Sequence, residues 1–200
     1  MIGHKLKKLP SIDTLVDIGV GINGTPELYN HFDSAHLVLI DPTTEAKNYA
    51  ETNLTARSHS FYNCGVGEKS GELILNVEED SSYSSFLEVA DINFRADPID
   101  RRTVKVDTLD NIMSNEKNSG RIGVKIDTEG FELNVIKGAT QTLKNVDFVL
   151  AEVRHNHESF KDMYSLEEFI EEMFKNNFIL TMIVTAKPFI ADLCFQPRRF

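Results

Sequence analysis

The stretch Leu15-Val16-Asp17-Ile18-Gly19-Val20-Gly21-Ile22-Asn23-Gly24 is an apolar strand running straight into a glycine-rich turn, and Thr25-Pro26 then opens a helix. Threonine is a good N-cap, and proline suits the first helical position, where its missing N–H costs nothing. Strand, tight turn and helix in that order begin a βαβ unit, which sets strands parallel and lays helices over the sheet. The pattern recurs along the chain. Leu37-Val38-Leu39-Ile40 is a second apolar strand, residues 43–56 read as a helix, and Ser60-Phe61-Tyr62-Asn63-Cys64 reads as a third strand. Ile122-Gly123-Val124-Lys125-Ile126 is a further strand, after which Phe131, Leu133 and Ile136 start a helical apolar face. The chain is therefore α/β, with a mostly parallel sheet and helices on both faces. In such sheets ligands gather outside the carboxyl ends of the strands.

Glycines let a turn approach a ligand closely and take up positive φ. Asp41, after the second strand, follows the first strand at about the spacing, on the order of 20 residues, at which an acid reaches the hydroxyls of a ribose. Gly19-x-Gly21-x-x-Gly24 with that acid also fits a nicotinamide dinucleotide fold, so an NAD(P)-dependent oxidoreductase is one alternative. Asp17 tilts the reading away from it. A carboxylate two residues before the first glycine would repel a pyrophosphate but can accept from a ligand ammonium. An adenosine that carries an amino acid and no phosphate answers that description: S-adenosylmethionine, with S-adenosylhomocysteine as product.

Lys125-Ile126-Asp127-Thr128-Glu129-Gly130-Phe131-Glu132 puts carboxylates and a lysine where a strand gives way to a helix. Asp127 and Glu152, each at a strand end, are expected to face one crevice, with His155 and His157 just beyond Glu152. Methyl transfer to a hydroxyl is an in-line displacement that needs alignment and a base to take the proton. Asp127 and Glu152 are the leading catalytic candidates. His155 competes as the base, because an imidazole titrates nearer neutral pH. Asp127 and Glu129 also admit a plainer role at a helix N-terminus, and Lys125 is expected to pair with Asp127 or Glu152 or to bind acceptor. The expected site holds no metal. A divalent ion on Asp127, Glu152 and His155 or His157 is the minor alternative.

These motifs resemble those of the FkbM-type methyltransferases. The likeness runs through Asp17-Ile18-Gly19, Asp41-Pro42, Cys64-Gly65-Val66-Gly67, Ser84-Ser85-Phe86-Leu87 and Asp107-Thr108-Leu109-Asp110, then through residues 125–132 to Lys137-Gly138-Ala139 and Glu152. The first loop departs from the common form, with Gly21 and Asn23 where Asn and Gly usually stand. The resemblance implies a class I methyltransferase (Rossmann-like) fold, completed to seven strands by residues 178–184 and 191–195 with an antiparallel strand at the edge. It also implies a cofactor site at Asp17, Gly19, Gly21, Asn23, Asp41, Pro42, Cys64 and Gly65, and O-methylation of a sugar or other small-molecule hydroxyl. A non-catalytic nucleoside-binding module is the other alternative.

With 200 residues, 41% of them hydrophobic, the chain suits a single domain with a sizeable core. Its expected parts are a cofactor half at about 11–77, an acceptor-covering loop at about 78–103 and a second half at about 104–200. Residues 71–77 alternate polar and apolar after a turn and read as part of an added hairpin or a sheet edge. The interval from Glu78 to Arg102 has four serines and little periodicity, as in a functional lid. Ser165-Leu166-Glu167-Glu168 is a capping box. A net charge of −10 argues against nucleic acid, with Lys5, Lys7 and Lys8 and Arg198 and Arg199 read as solvated ends. Cys64 and Cys194 read as reduced core thiols. No apolar run of about 18 residues and no signal-peptide core are visible, which points to a small-molecule enzyme of the cytoplasm.

Overall fold

The structure, a computed structural model, describes residues 2–90, 97–116, 120–155 and 159–198. His157 and Arg199, both singled out from the sequence, lie outside the described residues. In chain order the elements are α1 (Ile2–Leu6), β1 (Thr14–Ile18), α2 (Pro26–His31), β2 (His36–Ile40), α3 (Thr44–Asn53), β3 (His59–Tyr62), β4 (Gly65–Val66) and β5 (Gly71–Val77). They continue with β6 (Asp100–Asp107), α4 (Leu109–Asn115), β7 (Ile122–Ile126), α5 (Glu132–Lys137), β8 (Val146–Arg154), α6 (Leu166–Lys175), β9 (Phe178–Ala186) and β10 (Ile190–Pro197).

Seven strands form the main sheet in the order β3-β2-β1-β7-β8-β10-β9. β10 runs antiparallel to both β8 and β9, so the reversed strand sits one place in from the edge rather than at the edge. β9, the true edge, keeps the direction of the rest. Side chains on a strand alternate between faces. Leu15, Leu37, Leu39 and Phe148 pack on one face with α2 and α3, while Val16, Ile18, Val38 and Val124 pack on the other with α5 and α6. That is why these strands read as unbroken apolar runs: both faces are covered. By the same alternation Asp17, Lys125 and Glu152 share the face of α2 and α3.

A second, three-stranded sheet, β4-β6-β5, accounts for the added hairpin, with β5 antiparallel to β6. β6 begins at Asp100, inside the interval that the sequence assigns to a loop. Most of its side chains are at least partly exposed, so it carries little apolar periodicity to read. Cys64 falls between β3 and β4, outside a strand, and both cysteines are free thiols. The capping box of α6 is present, with the Glu168 N–H donating to Ser165 Oγ at 3.2 Å and the Ser165 N–H to Glu168 Oε2 at 2.7 Å. Among the described residues no helix is long and apolar enough to cross a membrane.

Candidate active site

The strand order reverses at β1, whose neighbours β2 and β7 carry connections leading away in opposite directions, and this is where an open α/β sheet has its crevice. A pocket of about 370 Å³ lies there, within the roughly 300–1,000 Å³ of small-molecule sites. Gly19, Gly21, Asn23, Asp41, Pro42, Cys64 and Gly65 line it, and so do Asp127 and Glu152. Two of the sequence candidates do not. Asp17 is fully buried behind the wall. His155 is exposed, its Nε2 3.1 Å from the Lys187 carbonyl at the β9–β10 turn.

The glycine loop is built by its contacts with the chain. Gly19 has φ +83°, and a Cβ there would stand 1.7 Å from the Asp127 carbonyl oxygen, so the loops after β1 and β7 touch at a point only glycine allows. Asp41 anchors the far side of the loop: Oδ2 accepts from the Gly21 N–H at 2.9 Å, and Oδ1 accepts from the N–H and hydroxyl of Thr43 at 2.8 and 2.6 Å. Burial pushes its carboxyl up from the usual aspartate range, against the pull of those hydrogen bonds. The serine segment closes the loop from above, since the Ile22 N–H donates to Ser82 Oγ at 3.2 Å. Burial also pushes the Cys64 thiol up to about 11, with Asp107 adding to it, so the residue is a wall and not a nucleophile.

Asp17 does not point at the ligand space. Its Oδ2 accepts from the Tyr29 hydroxyl, and from the Thr25 hydroxyl at 3.2 Å, while Oδ1 lies 3.0 Å from Lys125 Nζ. Thr25 occupies the N-cap of α2 as its sequence suggests but makes no side-chain cap bond, because its hydroxyl is turned to Asp17. Lys125 pairs with Asp17 across the β1–β7 register as well as with Asp127 at 3.4 Å, and its Nζ donates to the Gly19 carbonyl at 2.9 Å. Burial alone would lower the lysine; the two carboxylates outweigh it and hold its pKa above the ordinary value.

Past Lys125 the pocket wall is acidic. Oxygens of Asp127, Glu129 and Glu152 lie within 4.8 Å of one another, and Asp192, paired with Glu152 across β8 and β10, extends the group. Asp192 is a site residue that the sequence reading missed; its signal was a single acid in the apolar run Ile190-Ala191-Asp192-Leu193-Cys194. Glu129 is held by an ion pair to Arg154 and by Ser85, whose hydroxyl donates to the Glu129 carbonyl at 2.7 Å. Its φ of +53° is a left-handed conformation costly for a side-chain-bearing residue, kept by those contacts. Glu132, buried beneath, accepts from the Thr128 and Gly130 N–H groups at 2.9 and 3.0 Å and from the Tyr164 hydroxyl at 2.6 Å. It shapes the turn and does not reach the pocket. A divalent cation on the three carboxylates would lie close to the positive charges of Lys125 and Arg154, which already pair with Asp127 and Glu129, so the donor set does not favour a metal.

Burial, then the charges of Asp127, Glu129 and Asp192, push Glu152 up to about 8. A carboxyl whose folded pKa exceeds its unfolded value holds a proton that the unfolded chain lacks, so stability falls as pH rises from the unfolded value toward 8. Glu152→Gln is therefore expected to raise the melting temperature at pH 9 and to change it little at pH 4. After allowance for solvent screening the gain is about 1–2 kcal/mol, or roughly 2–8 °C by calorimetry. An equal shift at both pH values would remove the charge crowding.

Solved structures with this architecture include S-adenosylmethionine-dependent methyltransferases. A putative enzyme of that kind from Listeria monocytogenes matches at TM-score 0.56 and 10% identity, over 99% of this chain and 98% of that one. The ribosomal protein L11 methylase of Lactobacillus delbrueckii subsp. bulgaricus matches at 0.53 and 11%, over 99% and 76%. The 1,6-didemethyltoxoflavin-N1-methyltransferase of Burkholderia thailandensis, with S-adenosylhomocysteine bound, matches at 0.51 and 12%, over 99% and 76%. At such identities the likeness is one of fold, and that fold is the class I methyltransferase fold. No curated protein matches the chain in sequence. The model of the methyltransferase FkbM domain matches residues 17–180, and the chain belongs to that family, whose cofactor is S-adenosylmethionine.

Proposed function

We propose that the protein transfers the methyl group of S-adenosylmethionine to a hydroxyl on a small, uncharged, polyhydroxylated acceptor such as a sugar. The observation that carries this reading is one pocket with a glycine loop and Asp41 on one side and Asp127, Glu129, Glu152 and Asp192 on the other. The cofactor supplies an activated methyl on a sulfonium, and the rest is positioning and proton handling by the chain. Asp41 suits the ribose hydroxyls, with Gly19, Gly21 and Asn23 alongside the methionine portion and Pro42, Cys64 and Gly65 around the base. Asp17 acts from behind, through Lys125.

Carboxylates accept hydrogen bonds from hydroxyls and take up a proton, which supports oxygen as the methylated atom. The charges narrow the acceptor further. Lys125 and Arg154 are committed to Asp17, Asp127 and Glu129, so a phosphate or carboxylate entering the pocket would meet mostly like charge.

Turnover with isotopically labelled S-adenosylmethionine and matched neutral and phosphorylated sugars tests the reading; methylation of only the phosphorylated members would overturn it. Cofactor binding without methylation of any hydroxyl compound would favour a binding module. Asp41→Ala is expected to weaken S-adenosylhomocysteine binding by about 1.5–3 kcal/mol, as for hydrogen bonds to a charged group. Unchanged affinity by titration calorimetry would take Asp41 out of the site.

A further inference from the structure

Three carboxylates meet in the pocket, and their partners differ. Asp127 has Lys125 Nζ at 3.4 Å, and Glu129 has Arg154. Glu152 has no ion pair and no side-chain hydrogen bond among the described residues, yet it faces Asp127 and Glu129 from the loop after β7 and Asp192 from β10. The lysine that reaches Asp127 is itself fixed on three sides, by the Gly19 carbonyl, Asp17 of β1 and Asp127. Asp41 at the end of β2 and Tyr29 of α2, through its bond to Asp17, complete the polar groups around it.

Resting on the methyl-transfer reading above, we infer that Lys125 is a positioning residue that makes Asp127 the proton acceptor and leaves Glu152 as a hydrogen-bond donor to the acceptor molecule. Lys125 Nζ, 3.4 Å from an Asp127 oxygen, fixes that carboxyl group at the mouth of the crevice. Burial, and then the charges of Asp127, Glu129 and Asp192, keep the proton on Glu152 against the opposing pull of Arg154. Two carboxyl groups with environments this different take opposite roles in acid–base chemistry. In the step itself the acceptor O–H proton passes to an Asp127 oxygen, the acceptor oxygen forms its bond to the methyl carbon, and the electron pair of the broken C–S bond stays on sulfur, which becomes a neutral thioether. Asp127, with 33% of its side chain exposed, can then return the proton to water.

The test removes the lysine without stranding its buried partner, as Asp17→Asn/Lys125→Met, because a lone buried aspartate would unfold the protein for reasons unrelated to chemistry. Side-chain carboxyls are followed by 13C NMR from pH 4 to 10 in ligand-free protein, with signals assigned through Asp127→Asn and Glu152→Gln, and the pH profile of kcat/KM is recorded alongside. The Glu152 signal is expected to titrate near pH 8 in the wild type. In the double variant the acid limb of the rate profile should move about one pH unit higher, which lowers kcat/KM about tenfold at pH values below that limb. If the double variant fails to fold, Asp17→Asn/Lys125→Gln, which keeps a donor toward Gly19, is read in the same way. An unmoved acid limb would reduce Lys125 to a structural tie. An acid limb that vanishes with Glu152→Gln and survives Asp127→Asn would reverse the two roles. The NMR titration of Glu152 needs no acceptor, so failure of the methyl-transfer reading would appear separately, as no methylation of any hydroxyl compound by the wild type, whereas wild-type turnover in both single variants would overturn the two roles.

Discussion

Asp127→Asn should lower the turnover number by about 10²–10⁴-fold while S-adenosylhomocysteine binds nearly as before, the range expected when a general base is lost. Asparagine has the same shape, and the backbone bond from the residue-127 N–H to the Ile18 carbonyl, 2.9 Å in the structure, is untouched. The protein should therefore fold normally. Steady-state rates with a verified acceptor, beside calorimetric cofactor affinity, make the measurement. A wild-type rate would leave Asp127 as an ion-pair partner of Lys125 and nothing more.

The second large effect belongs to Gly19. Its first neighbour is the chain itself, so even Gly19→Ala would put a Cβ 1.7 Å from the Asp127 carbonyl at a φ that side-chain-bearing residues resist. We expect a loss of about 3 kcal/mol or more, a fall of roughly 6–12 °C in melting temperature, with cofactor binding lost together with stability and not apart from it. A variant that melted like the wild type but failed to bind would mean that the residue meets the ligand first, as its motif alone suggests.

That difference marks where the sequence stops being readable. Strands such as Leu37-Val38-Leu39-Ile40 declare themselves because both faces are buried, and the glycine turn after Asp17 declares itself because its punctuation is local. Asp41, Asp127 and Glu152 could be placed at the crevice because each lies at or near the end of a recognisable strand. Which side chains then touch depends on which strands are neighbours. Asp17 and Lys125 stand side by side only because β1 and β7 pair in that register, far apart in the chain. Without it the aspartate looked free to meet a ligand ammonium. Asp192 stayed hidden for a related reason: its strand enters the site from the reverse direction, beside Glu152. His155 looked close to the chemistry by residue number, but at the end of β8 the chain is already bonded to the β9–β10 turn, and the imidazole goes with it.

Among the described residues β10 is the last strand in sequence and yet lies inside the sheet, and β9 joins the ladder of the main sheet through it. During synthesis the glycine loop, Asp41 and Lys125 emerge well before residues 190–197, whereas β9 and Asp192 have no place in the sheet until those residues slot in beside β8. A growing chain thus lays down the glycine loop early and closes the acidic wall only with β10. On the function proposed above, a nascent chain already able to hold the methyl donor would still lack the full surface that orients a recipient.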